Sequence, residues 1–382
     1  MIELEVVLAT ARTARSQLGG DIYLVGGAVR DILLTRDTDD LDFVVVPGDY
    51  ERYARLMAKQ LRSVAIPFKQ NMRIPLCGSF IDVSAPHGET LKDDLAKRDF
   101  TINNLAMDLQ GEIHGDKTHI EQKIIYPAYN ELFDDDPVRI LRGFRQANAL
   151  GFSLSNNFLV LAERKMPLIT AVATERITDE LKKLTATGRA DKDIFEAMNK
   201  TALWQTLLEA NPSTDVLCNS IKYGHEDNFA LFITALASSS ATPIRALQKL
   251  FPSGQFYKRI RAVLDSVPVF ISQLDVDIER AVWDNKSLFP LLPKALRTIY
   301  GVKENLIEKC YEIHKKIMDT DRDALITGEY VLSVASETAP ELTIGNWVGI
   351  LLNECNYKLT FGLLADKQAA KKNLREQISL LN

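Results

Sequence analysis

The chain has 382 residues, enough for two or three domain-sized cores. Apolar residues make up 46% and charged residues 25%, a globular balance that excludes a disordered or fibrous chain. The formal net charge of −5 argues against a histone-like coat on nucleic acid, yet leaves room for RNA on a local basic patch.

Cys77, Cys218, Cys310 and Cys355 form no Cys-x-x-Cys pair, so neither a disulfide framework nor a zinc site is expected, and a reducing cytosol is. The first residues, Met-Ile-Glu-Leu-Glu, carry acids where a signal peptide carries bases. No apolar run approaches the roughly 20 residues of a membrane span.

In chain order, residues 4–18 have helical periodicity, and 22–25 form an apolar run broken by Gly26 and Gly27. Residues 28–34 resume a helical pattern, 41–46 form a β-prone run stopped by Pro47-Gly48, and 51–61 read as helix. Residues 79–83 predict a strand, and 91–96 a short helix leading into 98–108. Strands alternating with helices predict an α/β head over a small sheet. Beyond about residue 136, windows 137–149, 157–165, 175–187, 191–208, 228–238, 243–250, 256–272 and 303–317 all have apolar residues at helical spacing. An all-helical body is expected there, with no repeat and no low-complexity segment.

Four local signals in the head carry chemistry. Tyr-Leu-Val-Gly-Gly-Ala-Val-Arg-Asp at 23–31 is a strand running through Gly26 and Gly27 into a helix start. Such a turn lets the backbone approach phosphate, with Arg30 as an added cation; a plain strand–helix turn is the alternative. Asp40 and Asp42 lie two apart on a strand, so they share a face and repel unless a cation sits between them. That pairing suits two-metal phosphoryl transfer with Mg²⁺, against the alternative of an acidic turn. Asp82 sits mid-strand among apolar residues, a third acid toward the metals or an exposed edge-strand residue. In Lys-Arg-Asp-Phe-Thr-Ile-Asn at 97–103, Arg98 and Asn103 are candidates for the triphosphate and Asp99 for ribose hydroxyls; the alternative is a helix start capped by Asp99 or Thr101.

Taken in order, these segments resemble the head of class II tRNA nucleotidyltransferases, the CCA-adding enzymes, and of the similar bacterial poly(A) polymerases. Gly-Gly-x-Val-Arg-Asp is met at 26–31, the metal-binding Asp-x-Asp by Asp40 and Asp42, and Arg-Asp-Phe-Thr-x-Asn at 98–103. The resemblance implies a DNA polymerase β-like mixed-sheet head at 1–135 and a neck of base-reading helices at 136–190. A helical body at 191–295 and a tRNA-binding helical tail at 296–382 would follow. It implies two Mg²⁺ ions on Asp40 and Asp42, Asp82 assisting the attacking hydroxyl, and release of pyrophosphate.

The family's base-reading Glu-Asp-x-x-Arg corresponds to Asp135, Asp136 and Arg139, with Asp for Glu at the first place. Asp136 would accept from the cytosine amino group while Arg139 donates to its ring; adenine is met similarly, and uracil and guanine are rejected. Without the resemblance, Asp136 before Pro137 reads as a helix cap. Arg142 and Arg145 follow along the helix as candidates for the triphosphate or the site's geometry. Glu175 and Arg176 match a further family motif and are expected to brace the neck.

Departures are also present. The loop after the Arg-Asp-Phe-Thr motif differs, with His-Gly-Asp-Lys-Thr-His at 114–119. Between the Asp82 strand and the helix before Arg98 there is only Ser-Ala-Pro-His-Gly-Glu-Thr at 84–90, where complete CCA-adding enzymes carry a long flexible loop. Members that add only CC lack that loop, so the expectation is a CC-adding enzyme using CTP on tRNA that lacks its CCA end, with a separate A-adding enzyme acting next. Full CCA addition with ATP, a poly(A) polymerase and an inactive RNA-binding scaffold are the rivals. Arg245, Lys249, Lys258, Arg259, Arg261, Lys371, Lys372 and Arg375 are candidate tRNA contacts, or solvated helix faces.

Overall fold

The computed structural model describes residues 4–38, 40–76, 78–320 and 322–381. The chain forms two compact units, Met1–His225 and Glu226–Asn382. The first begins with α1 (Leu4–Leu18), β1 (Asp21–Val25), α2 (Gly27–Leu33), β2 (Asp40–Val46) and α3 (Tyr50–Gln60). It continues with β3 (Ile66–Phe68), β4 (Asn71–Leu76), β5 (Ser79–Ser84) and α4 (Leu91–Ala96). A 3₁₀ turn at Thr101–Asn103 precedes β6 (Ala106–Met107), β7 (Ile113–His114), α5 (Thr118–Glu121), β8 (Ile124–Ile125) and α6 (Leu132–Asp135). Then come α7 (Val138–Leu150), β9 (Ser153–Leu154), α8 (Asn156–Lys165), α9 (Thr174–Ala186), α10 (Lys192–Lys200), α11 (Leu203–Leu208) and α12 (Thr214–Ser220).

Seven strands form one mixed sheet in the order β3-β4-β5-β2-β1-β6-β7. The run at 41–46 is central: β2 pairs antiparallel with β1 and parallel with β5, burying Leu41, Phe43, Val44 and Val45. A parallel neighbour needs a crossover, and α3 with the β3–β4 hairpin supplies it. Asp49 caps α3 by accepting from the Arg52 amide, and Tyr53, Ala54, Met57 and Ala58 form its buried face. The β3–β4 hairpin falls where the sequence analysis places no strand. Pro67 and Pro75 interrupt its β pattern, and a three-residue edge strand tolerates the missing N–H donor.

The helical α7 is fixed to the head by aromatic packing. The Phe158 ring meets Phe133 at 5.5 Å and Phe144 at 5.2 Å edge-on, and Phe100 at 6.0 Å. Gly143 on α7 permits this contact, since a Cβ there would lie 2.2 Å from a Phe158 ring carbon. Two helical expectations need correction. Residues 191–208 break into α10 and α11 at Ala202, whose φ of 57° is left-handed, although apolar spacing runs through both. The region beyond residue 136 is also not wholly helical, because β9 pairs in parallel with β8.

The second unit contains α13 (His225–Ser238), α14 (Pro243–Leu250), α15 (Gln255–Gln273), α16 (Ile278–Asp284), α17 (Leu291–Thr298), α18 (Glu304–Asp319), α19 (Gly328–Thr338), α20 (Trp347–Thr360) and α21 (Lys367–Ser379). Val331, Val334, Leu351, Cys355, Leu374 and Ile378 bring the last three helices around one core. Trp283 Nε1 donates to Asn353 (2.9 Å) and Arg280 Nη1 to Glu354 (2.5 Å), tying α16 to α20. Among the described residues no helix is long and apolar enough to cross a membrane.

Candidate functional site

Strand periodicity puts Asp40 and Asp42 on one face of β2, and the parallel register sets Asp42 beside Asp82 of β5. Burial pushes the Asp42 carboxyl above its usual range, and Asp82 and Asp40 add to this; Arg98 and Arg142 pull the other way. A half-buried acid next to two others is a place that a divalent cation stabilises.

Asp40 and Asp42 open onto a polar cavity of about 510 Å³. Of the residues expected from sequence, Gly26, Gly27, Arg30, Asp40, Asp42, Arg98, Asp99, Asn103, Arg139, Arg142 and Arg145 line it. Asp82 and Asp136 do not. Asp31, Asp37, Thr38, His87, Lys97 and Gln146 also line it, and the sequence analysis assigns none of them a role. Asp31 and Lys97 lie inside the motifs already quoted, so their positions were legible; Gln146 has no signal beyond helical phase with Arg139 and Arg142.

Four of the cavity's arginines are individually braced. Arg98 donates through Nε (3.1 Å) and Nη2 (2.8 Å) to Asp94, whose side chain is 1% exposed. Arg30 grips Asp31 through Nε and Nη2 (both 2.9 Å) and donates to Asn103 Oδ1 (2.8 Å). Arg145 donates to Glu180 of α9 at 2.5 Å. Arg142 Nε lies 2.9 Å from Asp99 Oδ2. The other Asp99 oxygen accepts from the Phe100 amide and the Asn103 amide nitrogen, both at 2.8 Å. Burial alone would raise the Asp99 carboxyl, but Arg142, Asn103 and Phe100 outweigh it and hold it below its usual value. Asp99 and Asn103 thus both line the cavity and engage its arginines Arg142 and Arg30. Neither Asp99 nor Thr101 caps the 3₁₀ turn, whose N-cap is Phe100 without a side-chain bond. Gly26 serves two needs: its φ is +75°, and a Cβ would lie 2.6 Å from Arg98 Nη1. Its own N–H donates to the Leu105 carbonyl (2.9 Å).

Asp82 is not the exposed edge-strand acid of the second sequence alternative. It is buried on a strand with neighbours on each side, and Arg73 of β4 holds both its oxygens, at 2.8 and 2.7 Å. The Phe68 and Phe80 rings each lie 3.7 Å from the Arg73 guanidinium carbon. Arg73 was invisible to the sequence analysis because nothing local marks a residue nine positions from its partner.

Asp136 does not cap α7, which has Pro137 at its N-cap and no side-chain cap bond. Its carboxylate instead accepts from Arg176 Nη2 of α9 at 2.6 Å, with Arg139 Nε at 3.9 Å. Arg176 thereby ties α9 to the residue before Pro137 at the start of α7. A further ligand-type cluster, Asp108, Glu112 and His114, lies on the β6–β7 hairpin outside the cavity lining. Asp108 Oδ1 is engaged by the Gln110 and Glu112 amides of that turn. Among the candidate tRNA contacts, Lys371 and Arg375 pair with Glu337, Arg261 with Asp265, and Arg259 with Asp227.

Residues 22–119 match the poly A polymerase head domain family. A CC-adding tRNA nucleotidyltransferase of Halalkalibacterium halodurans is 35% identical over 170 residues, which cover 44% of each protein, so the chain spans under half of that relative's length. A CCA-adding enzyme of Bacillus licheniformis is 25% identical over 92% of this chain and 93% of its own. The fold is shared with the Bacillus stearothermophilus CCA-adding enzyme in complex with CTP, at TM-score 0.74 and 20% identity over 98% of both chains. Residues 22–119 thus form a poly A polymerase head domain, and the chain shares with these solved structures a mixed-sheet head followed by a mostly helical remainder.

Proposed function

We propose that this protein adds nucleotides to the 3′ end of tRNA without a nucleic-acid template, using CTP and releasing pyrophosphate. The observation that carries this reading is the pairing of Asp40 and Asp42 at a cavity lined by five arginines expected from the sequence, Arg30, Arg98, Arg139, Arg142 and Arg145. Asp40 and Asp42 fit divalent cations because Asp42 is half-buried beside like charges. Two Mg²⁺ ions bound there would supply charge neutralisation on the triphosphate and activation of the tRNA 3′-hydroxyl. The chain's own residues then position the reactants. Arg98 and Arg142, fixed from behind by Asp94 and Asp99, hold the triphosphate, and Arg145 sets the phase of α7 through Glu180. Asp136 and Arg139 read the base, with Arg176 as the counter-ion that cytosine displaces from Asp136. The helical tail at 296–382 grips the tRNA.

The finer reading is CC addition. Six residues join β5 to α4, and they are tied down. The His87 amide donates to Asp94 Oδ1 (3.0 Å), and Thr90 and Asp93 form a reciprocal cap. A connection anchored to the carboxylate that holds Arg98 supports a site that does not re-form for adenine. The test is to incubate the protein with Mg²⁺, CTP, ATP and a tRNA transcript lacking CCA, then sequence the 3′ ends. Ends stopping at CC with ATP present, and no extension by Asp42→Ala, are expected. Ends completed to CCA would overturn the CC assignment; extension by Asp42→Ala near the parent rate would overturn the site.

A further inference from the structure

The base-reading pair has a support that the motifs do not contain. Tyr129 lies in the segment before α6, six residues ahead of Asp135 and ten ahead of Arg139. Its hydroxyl contacts Asp135 Oδ2 at 2.8 Å and Arg139 Nη1 at 2.7 Å. The direction of both bonds follows from their chemistry. A guanidinium donates and never accepts, so the phenol oxygen accepts from Arg139 and its single proton goes to Asp135. Burial and the bond to Asp135 raise the phenol's pKa, keeping that proton in place.

We propose that Tyr129 is a positioning residue for nucleotide selection, fixing the Arg139 guanidinium through a relay that starts at Asp135. This rests on Asp136 and Arg139 being the base reader. The chain carries Asp at the place where the family motif has Glu, one methylene shorter, and the phenol spans the distance to Arg139. Cytosine recognition needs Arg139 donors at fixed angles to the base edge. An arginine free to rotate still supplies charge but discriminates cytosine from uracil less well. Tyr129 therefore acts on which base is accepted, and Asp135 acts through it.

The experiment compares Tyr129→Phe, Arg139→Ala and the double variant Tyr129→Phe/Asp135→Glu in the full chain, with a tRNA transcript lacking CCA and with CTP or UTP. Tyr129→Phe keeps the ring and loses both hydrogen bonds. KM for CTP should rise about tenfold, the size expected for one charge-assisted hydrogen bond, with kcat changed less and UTP discrimination reduced. In the double variant the longer carboxylate reaches Arg139 directly, and KM and discrimination should return toward the parent values; a general packing defect would not respond to Asp135→Glu. Arg139→Ala separates the two levels of the argument. If Arg139→Ala leaves base choice intact, the base-reading assignment fails. If Arg139→Ala destroys base choice while Tyr129→Phe keeps the parent KM and discrimination, or if Asp135→Glu gives no rescue, the role of Tyr129 is refuted.

Discussion

Replacing Arg73 with Met tests how the sheet tolerates a third acid beside the Asp40–Asp42 pair. Arg73 holds Asp82 through two hydrogen bonds of 2.8 and 2.7 Å, with side chains 23% and 9% exposed. Met preserves most of the volume between Phe68 and Phe80 and keeps a favourable sulfur–ring contact. The dominant loss is electrostatic: a buried carboxylate is left uncompensated, in register with Asp42. Breaking a buried pair from one side costs about 3–5 kcal/mol, a large share of the roughly 5–15 kcal/mol that holds a domain together. The double variant Arg73→Met/Asp82→Asn removes the charge with its partner. It should recover all but about 1–2 kcal/mol, the net value of the lost hydrogen bonds. Urea unfolding followed by circular dichroism, without metal at neutral pH, reads both numbers. A single variant costing less than about 1 kcal/mol, or a double variant no more stable than the single, would refute the view that Arg73 exists to neutralise Asp82.

Two further outcomes follow from the same geometry. Asp99 has its folded pKa depressed, so its contribution is present above the unfolded aspartate value and is lost as pH falls through the folded one. Asp99→Asn should therefore flatten the acid limb of a stability-versus-pH curve, and an unchanged limb in thermal melts would contradict the assigned environment. Gly143→Ala would place a Cβ 2.2 Å from the Phe158 ring and 2.9 Å from Phe100. Overpacking there should cost about 1–3 kcal/mol in denaturant titration, and a neutral result would mean that α7 can shift on the head.

Much of the site was legible in the sequence because its chemistry is local. Asp40 and Asp42 share a face through strand periodicity alone, and Arg139, Arg142 and Arg145 follow at helical spacing, so no knowledge of packing was needed to group them. The glycine turn and the central strand at 41–46 were likewise marked by their own residues. The tertiary structure decided what those side chains do at rest. Asp99 lies under Arg142, Asn103 serves Arg30 and Asp136 is held by Arg176 from another helix, because buried polar groups must find partners wherever the fold brings them. The β3–β4 hairpin, hidden by its prolines, delivers Arg73 to Asp82, and the segment before α6 delivers Tyr129 to Arg139. Sequence periodicity determines which face a residue takes. Only the sheet order and helix packing determine which opposite charge stands across from it, and Coulomb and desolvation energies are set by that distance and burial.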